Sequence, residues 1–235
     1  MTTILNIETS GASCSVAVCA EGEVQFEKKE EEGMNHARLL ATFVQECLDY
    51  LDRHDRKPDA VGVSIGPGSY TGLRIGLSLA KGLCMGMDIP LIGVPTLQIM
   101  AVQAMFSCFD WQGDELLVPM LDARRMEVYT ATYDFHLHEV QPVRPLILEP
   151  DSFSDLLAQG RKLVIIGPGA VKAEPLYGAL PGVEMRTRIA PDARGMMALS
   201  DKAFREGRFL DTAYCVPEYL KEFQATKPKN KVLGS

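Results

Sequence analysis

Twice in this chain a short apolar strand runs into the tripeptide Gly-Pro-Gly. Residues 60–65 lead into Gly66-Pro67-Gly68, and residues 162–166 lead into Gly167-Pro168-Gly169. Upstream of each lies a strand that ends in an acidic residue at a turn, followed by a strand that returns. These openings are Ile4-Leu5-Asn6-Ile7-Glu8-Thr9 and Val118-Pro119-Met120-Leu121-Asp122-Ala123. The duplication lies in pattern, not identity, and an internal repeat constrains the fold before any single element does. It predicts two α/β lobes of related design.

The first half reads βββαβαβα. Strands at 3–7, 14–19 and 24–27 form an antiparallel meander with a turn at Glu21-Gly22. A helix over 34–54 has Leu40, Phe43, Cys47 and Leu51 at helical spacing and Asn35 as its N-cap. The strand at 60–65, a helix over 72–87, a strand at 91–93 and a helix from Thr96 complete it. In the second half, strands are expected at 116–121, 126–133 and 162–166, and a helix over 192–206 with Pro191 at its start. The lobes divide as 1–104 and 105–220, with the 192–206 helix packing back on the first. Residues 221–235, with four lysines, read as a flexible tail.

The formal net charge of -7 argues against a free-standing nucleic-acid binder, since phosphate contacts need clustered Lys and Arg. The six cysteines include no C-x-x-C pair, and most sit in apolar segments, which suits a reducing cytoplasm. No basic region precedes an apolar run at the N-terminus, so no signal peptide is expected. The most apolar stretch, 72–109, is interrupted by Arg74, Lys81, Asp88, Pro90 and Pro95, and no membrane span is expected.

Residues 66–76, GPGSYTGLRIG, carry the strongest chemical signal. Gly66 and Gly68 permit close backbone approach, and Ser69 or Thr71 can cap the helix that follows. A helix N-terminus after a glycine turn is an anion site, so Gly66, Gly68, Ser69, Tyr70 and Thr71 are candidates to hold a phosphate or another anion. The alternative is a capped turn whose glycines serve packing. The spacing is not that of a P-loop. Glu8-Thr9-Ser10-Gly11 offers a carboxylate and two hydroxyls, so Thr9 and Ser10 join the candidate anion loop; an ordinary hairpin turn whose hydroxyls bond their own backbone is the favoured reading. Asp122 is the second acid in register, but Ala123-Arg124-Arg125 would crowd phosphates. His136 and His138 are two apart, and with no third ligand in view they read as a solvated strand end. No catalytic residue and no metal site are expected.

In the helix over 72–87, Gly72, Gly76 and Ala80 lie four apart and would let another helix come close. Leu73, Ile75, Leu77, Leu79, Leu83 and Met85 cover most of the remaining circumference. A helix apolar all round is either deeply buried or holds an interface. The 34–54 helix has a similarly wide stripe. Candidate partner-binding residues are therefore His36, Leu39, Leu40, Phe43, Gly72, Leu73, Gly76, Leu77 and Ala80. Burial by a neighbouring helix accounts for the same pattern.

Two α/β lobes with an acidic first hairpin describe the actin-like, or RNase H-like (ASKHA), architecture, with mixed sheets flanked by helices. The sequence GPGSYTGLRIG, with Leu77 and Ala80-Lys81-Gly82-Leu83, resembles the signature of the TsaB (YeaZ) family. So do Ile4 to Ser10 with Ser15-Val16-Ala17-Val18, Asn35-His36-Ala37, Gly93-Val94-Pro95-Thr96-Leu97, residues 122–129 and Gly167-Pro168-Gly169. The resemblance runs over roughly residues 4–219. It implies a non-catalytic scaffold that pairs through its first-lobe helices with TsaD, the subunit that threonylcarbamoylates adenosine beside the anticodon of tRNAs reading codons that start with A. It implies further that the TsaE ATPase joins, that tRNA is met only through the complex, and that family members alone form homodimers through the same face. TsaD uses a histidine pair for metal, which this chain lacks. No cofactor is implied for the isolated chain, and a nucleotide is conceivable at the subunit interface. Glu8 stands where the family more often has Asp, and 108–115 with Trp111 matches no family feature. The competing reading is a stand-alone actin-like small-molecule kinase or metallopeptidase.

Overall fold

The computed structural model describes residues 2–30, 36–107 and 111–221, with only the backbone of His36 and Ala37. The expected Asn35 cap, residues 108–110 and the tail beyond Lys221 lie outside the described residues.

The first lobe is built on β1 (Thr3–Glu8), β2 (Cys14–Ala20), β3 (Glu23–Glu30), β4 (Ala60–Gly66) and β5 (Leu91–Pro95). Their order in the sheet is β3-β2-β1-β4-β5. β1 pairs antiparallel with β2 and parallel with β4. Every residue of β1 and β2 is buried, as expected of central strands covered on both faces. The edge strand β3 alternates half-buried with exposed positions and carries Glu27, Lys28, Lys29 and Glu30, charges that deter pairing with another chain. The strand runs three residues past the expected end because Lys28, Lys29 and Glu30 stay paired with Val16, Ser15 and Cys14 of β2.

The second sheet has the order β10-β9-β6-β7-β8, from β6 (Glu115–Asp122), β7 (Glu127–Tyr133), β8 (Glu139–Ile147), β9 (Lys162–Ile166) and β10 (Val183–Arg186). Read from the other edge this is the first lobe's arrangement again: an antiparallel three-strand meander, then two parallel strands.

Helices α1 (His36–Arg53) and α2 (Tyr70–Met87) cover one face of the first sheet. Leu5 and Ile7 below them are fully buried, each contributing about 1.5–3 kcal/mol of transfer free energy. The opposite face is covered by α3 (Thr96–Phe106), a 3-10 turn (Ala193–Met196) and α6 (Met197–Arg205). Asp192 caps the 3-10 turn, its carboxylate accepting from Gly195 N at 3.0 Å. The expected single helix over 192–206 is therefore a tight turn followed by a nine-residue helix. In the second lobe α4 (Ser154–Ala158) and α5 (Ala170–Tyr177) cover one face, and α3 covers the other. α3 thus serves both cores: Ile99 belongs to one, and Leu97, Met100, Ala101 and Ala104 to the other.

The chain then returns across the first lobe as an irregular strap. Leu210 N donates to Leu91 O at 2.8 Å, and Glu218 N to Ile65 O at 2.7 Å. Tyr219 lies against Tyr70 with ring centroids 4.8 Å apart, and Lys221 pairs with Glu127 of the second lobe.

Candidate functional site

The β1–β2 turn and the Gly-Pro-Gly loop after β4 meet, and their junction is packed shut. Glu8, Thr9 and Ser10 are buried. The Ser10 amide and hydroxyl both donate to Glu8 Oε1 at 2.5 Å. Burial pushes the Glu8 carboxyl up to about 7 despite these bonds, and its Oε2 has no partner. The Thr9 hydroxyl donates to Gly72 O at 2.8 Å. Ser10 O accepts from Ser69 N at 2.7 Å.

This contact explains the glycines. A Cβ on Gly72 would lie 2.1 Å from Thr9 O, and one on Gly76 would lie 2.2 Å from Thr9 Oγ1. The stripe of Gly72, Gly76 and Ala80 therefore faces the chain's own first hairpin and sheet. Gly66, at φ 124, is roofed by the strap: a Cβ there would meet Glu218 O at 2.6 Å. Ser69 is the N-cap of α2, its Oγ accepting from Gly72 N at 3.2 Å. The expected anion loop is corrected accordingly. Thr9 and Ser10 are inaccessible, Gly66 is covered, Gly68 and Tyr70 are half-buried, and the Gly72 N–H in the first turn of the helix is met by Ser69 itself. Only Ser69 and Thr71 of that set are exposed.

The candidate partner-binding set also divides by burial. Leu40, Gly72, Leu73, Gly76, Leu77 and Ala80 are buried in the first lobe's own core and cannot touch another molecule. Leu39 and Phe43 are half-buried, and the His36 side chain lies outside the described residues. The outward side of α2 carries a different stripe. Ile75 and Leu79 are half-buried, and Gly82 and Gly86 are exposed, at spacings of four, three and four residues that share one face. Nothing lies within 4 Å of a Cβ placed on either Gly82 or Gly86. Half-buried Leu83 borders this face, and Met85 is 76% exposed nearby. Glycines thus stand on the inward and on the outward side of this one helix, and spacing alone does not say which faces inward.

The second lobe's counterpart turn is open and differently made. Asp122 Oδ1 accepts from Lys172 Nζ at 2.8 Å and from Arg124 N at 2.6 Å. Partial burial opposes ionisation, but these two donors outweigh it and hold the carboxyl below its usual range. Arg124 and Arg125 both have positive φ. Between the lobes a cleft of about 850 Å³ is lined by Gly11, Ser13, Gln103, Pro168, Arg188 and Asp192. Glu8 is not among its lining residues.

The β7–β8 connection corrects the reading of His136 and His138. They sit in a turn, not on a strand, with Asp134 beside them as a third group.

Two like-ordered sheets sharing a central helix, with the first hairpin closed on a glycine-faced helix, define a two-lobed actin-like protein. Residues 28–153 match the family model described as "TsaD: tRNA N6-adenosine threonylcarbamoyltransferase". The chain is 32% identical to the tRNA threonylcarbamoyladenosine biosynthesis protein TsaB of Escherichia coli over 95% of its length and 96% of the relative's. It is 30% identical to the Bacillus subtilis TsaB, again over 95% and 96%. The crystal structure of YeaZ from Pseudomonas aeruginosa superposes with a TM-score of 0.76 at 27% identity, covering 94% of this chain and 100% of that one. The chain belongs to the TsaB (YeaZ) family.

Proposed function

We propose that this chain is the non-catalytic partner of a TsaD-type catalytic subunit in tRNA threonylcarbamoyladenosine formation. Its docking surface is the outward face of α1 and α2. The observation that carries this reading is the second stripe of α2. Gly82 and Gly86 are exposed and bare, and Ile75 and Leu79, which pack in part against the core, keep the rest of their surface in solvent on the same face. Small residues let a partner helix approach closely, and apolar neighbours supply the area that drives association. Leu39 and Phe43 flank this surface on α1 as its remaining accessible candidates. The same track suits a second copy of the chain when the partner is absent. The TsaE-type ATPase and tRNA join through the catalytic subunit, which fits the chain's net charge of -7.

The turn chemistry supports an accessory role over a kinase-like one. Thr9 and Ser10, the hydroxyls a phosphate loop would use, are bonded to Gly72 O and Glu8. The test is reconstitution with the cognate TsaD and TsaE proteins, tRNA and threonylcarbamoyl-adenylate. Transfer is expected only when the chain and TsaD are both present, and Leu79→Arg is expected to abolish co-elution while circular dichroism stays native. Transfer by the chain alone, or unaltered co-elution of the Leu79→Arg variant, would contradict the reading.

A further inference from the structure

We propose that the β7–β8 turn is a binding site for a divalent transition-metal ion of the zinc, nickel or copper class, held by Asp134, His136 and His138. One carboxylate oxygen and a nitrogen from each imidazole lie within 4.8 Å of one another. His138 Nδ1 is 3.1 Å from Asp134 Oδ2. That separation is close to the spacing of two neighbouring donors on a shared ion with bonds of about 2.0–2.2 Å. The two imidazole rings lie nearly parallel, 17° apart with centroids separated by 5.8 Å.

The carboxylate is oriented before any ion arrives. Asp134 Oδ1 accepts from the backbone amides of His136 at 2.8 Å and His138 at 2.9 Å. These bonds hold the side chain across the turn and leave Oδ2 facing the His138 ring. Orientation of a ligating carboxylate by backbone donors is the usual outer support of a protein metal site. Leu137, at φ 62, is the residue that turns the chain so that the histidines on either side of it face alike.

The donor set selects the ion. Two imidazoles and one carboxylate suit zinc, nickel and copper, whereas magnesium and calcium favour all-oxygen sites. Three protein donors leave at least one position for water or for a ligand from another molecule. Both histidines are exposed, so the ion exchanges freely with solvent. The site is on the second lobe and is independent of the α1–α2 face.

The experiment is calorimetric titration of the untagged, full-length chain with zinc and nickel chlorides, with magnesium chloride as the contrast. One saturable equivalent of zinc or nickel is expected, and no magnesium heat. His136→Ala and His138→Ala are each expected to weaken binding at least tenfold, and the double variant to abolish it. His54→Ala, at a histidine just past the end of α1, is expected to bind as wild type. Asp134→Asn keeps an oxygen to accept the two amides but removes the charge; it is expected to weaken binding with an unchanged circular dichroism spectrum. Copper bound at one equivalent is expected to show hyperfine coupling to two imidazole nitrogens. Absence of saturable binding, or zinc affinity of the double-histidine variant within twofold of wild type, would overturn the assignment.

Discussion

A buried and an exposed glycine of α2 should respond in opposite directions to an added side chain. Gly82 is exposed and a Cβ placed there meets nothing within 4 Å, so the side chain of Gly82→Leu starts into open space. Replacing a helical glycine by a good helix former gains about 0.8–1 kcal/mol. For a chain of this size that raises Tm by about 2–4 °C. Across a close helix contact, however, an unaccommodated side chain costs about 1–3 kcal/mol, roughly five- to 150-fold in affinity. Gly72→Ala, ten residues earlier on the inner side, would place its Cβ 2.1 Å from Thr9 O, a backbone atom that cannot rotate away. It should lose about 2 kcal/mol or more of stability. Thermal melts of both variants, with calorimetry of each against the cognate TsaD, separate the two effects. The expected result is a Gly82→Leu protein that melts higher and binds TsaD at least about tenfold more weakly, beside a Gly72→Ala protein that melts lower. A Gly82→Leu variant with undiminished affinity would refute the outward stripe as the docking track. One that melts lower would refute the burial argument itself.

Glu8 supplies a pH signature. Its folded-state value of about 7 lies above the ordinary carboxylate range, so the native state binds the proton more tightly than the unfolded chain. That stabilisation is complete below the unfolded value and is lost as pH rises through about 7, an effect on the order of 3 kcal/mol. Urea melts between pH 4.5 and 8 should show this decline in wild type and a flatter profile in Glu8→Gln; parallel profiles would refute it. Burial pushes the thiols of Cys14, Cys19 and Cys84 up to about 11 and that of Cys47 to about 12. In native protein at pH 7.5 these four should resist alkylation until the chain unfolds, read by mass spectrometry of the labelled peptides, while half-buried Cys215 reacts first. Removing the Glu218 contact by truncation after Tyr214 should uncover Gly66 and Tyr70, detected as faster amide exchange in 65–70 with little change in 116–121.

The parts of the fold readable from sequence were those whose burial repeats regularly. β1, β2, β4 and β9 are continuous apolar runs, and β9 falls at the expected residues. The strand-into-Gly-Pro-Gly repeat foretold two sheets of one topology. β8 escaped because Pro142 and Pro145 argue against a strand, and they are tolerated only because β8 is an edge. α5 was hidden by Pro175 inside it, and α4 by its five-residue length. At the site, the small-residue stripe was legible but its direction was not. Gly72 and Gly76 serve contacts to Thr9, more than sixty residues away in sequence, and no local pattern encodes such a partner. Asp134 was legible as well: it stands two residues before His136, the same spacing that separates His136 from His138, and the turn rather than a strand is what brings the three together.

The sharing of α3 has a consequence for how this protein comes into being. Its apolar side chains finish the wall of one core while filling the other, and the lower face of the first sheet stays only partly covered until residues 193–205 exist. The half of the molecule that leaves the ribosome first is therefore among the last parts to be completed. Cut at the lobe boundary, neither piece would keep its interior dry, so the two halves should melt as one.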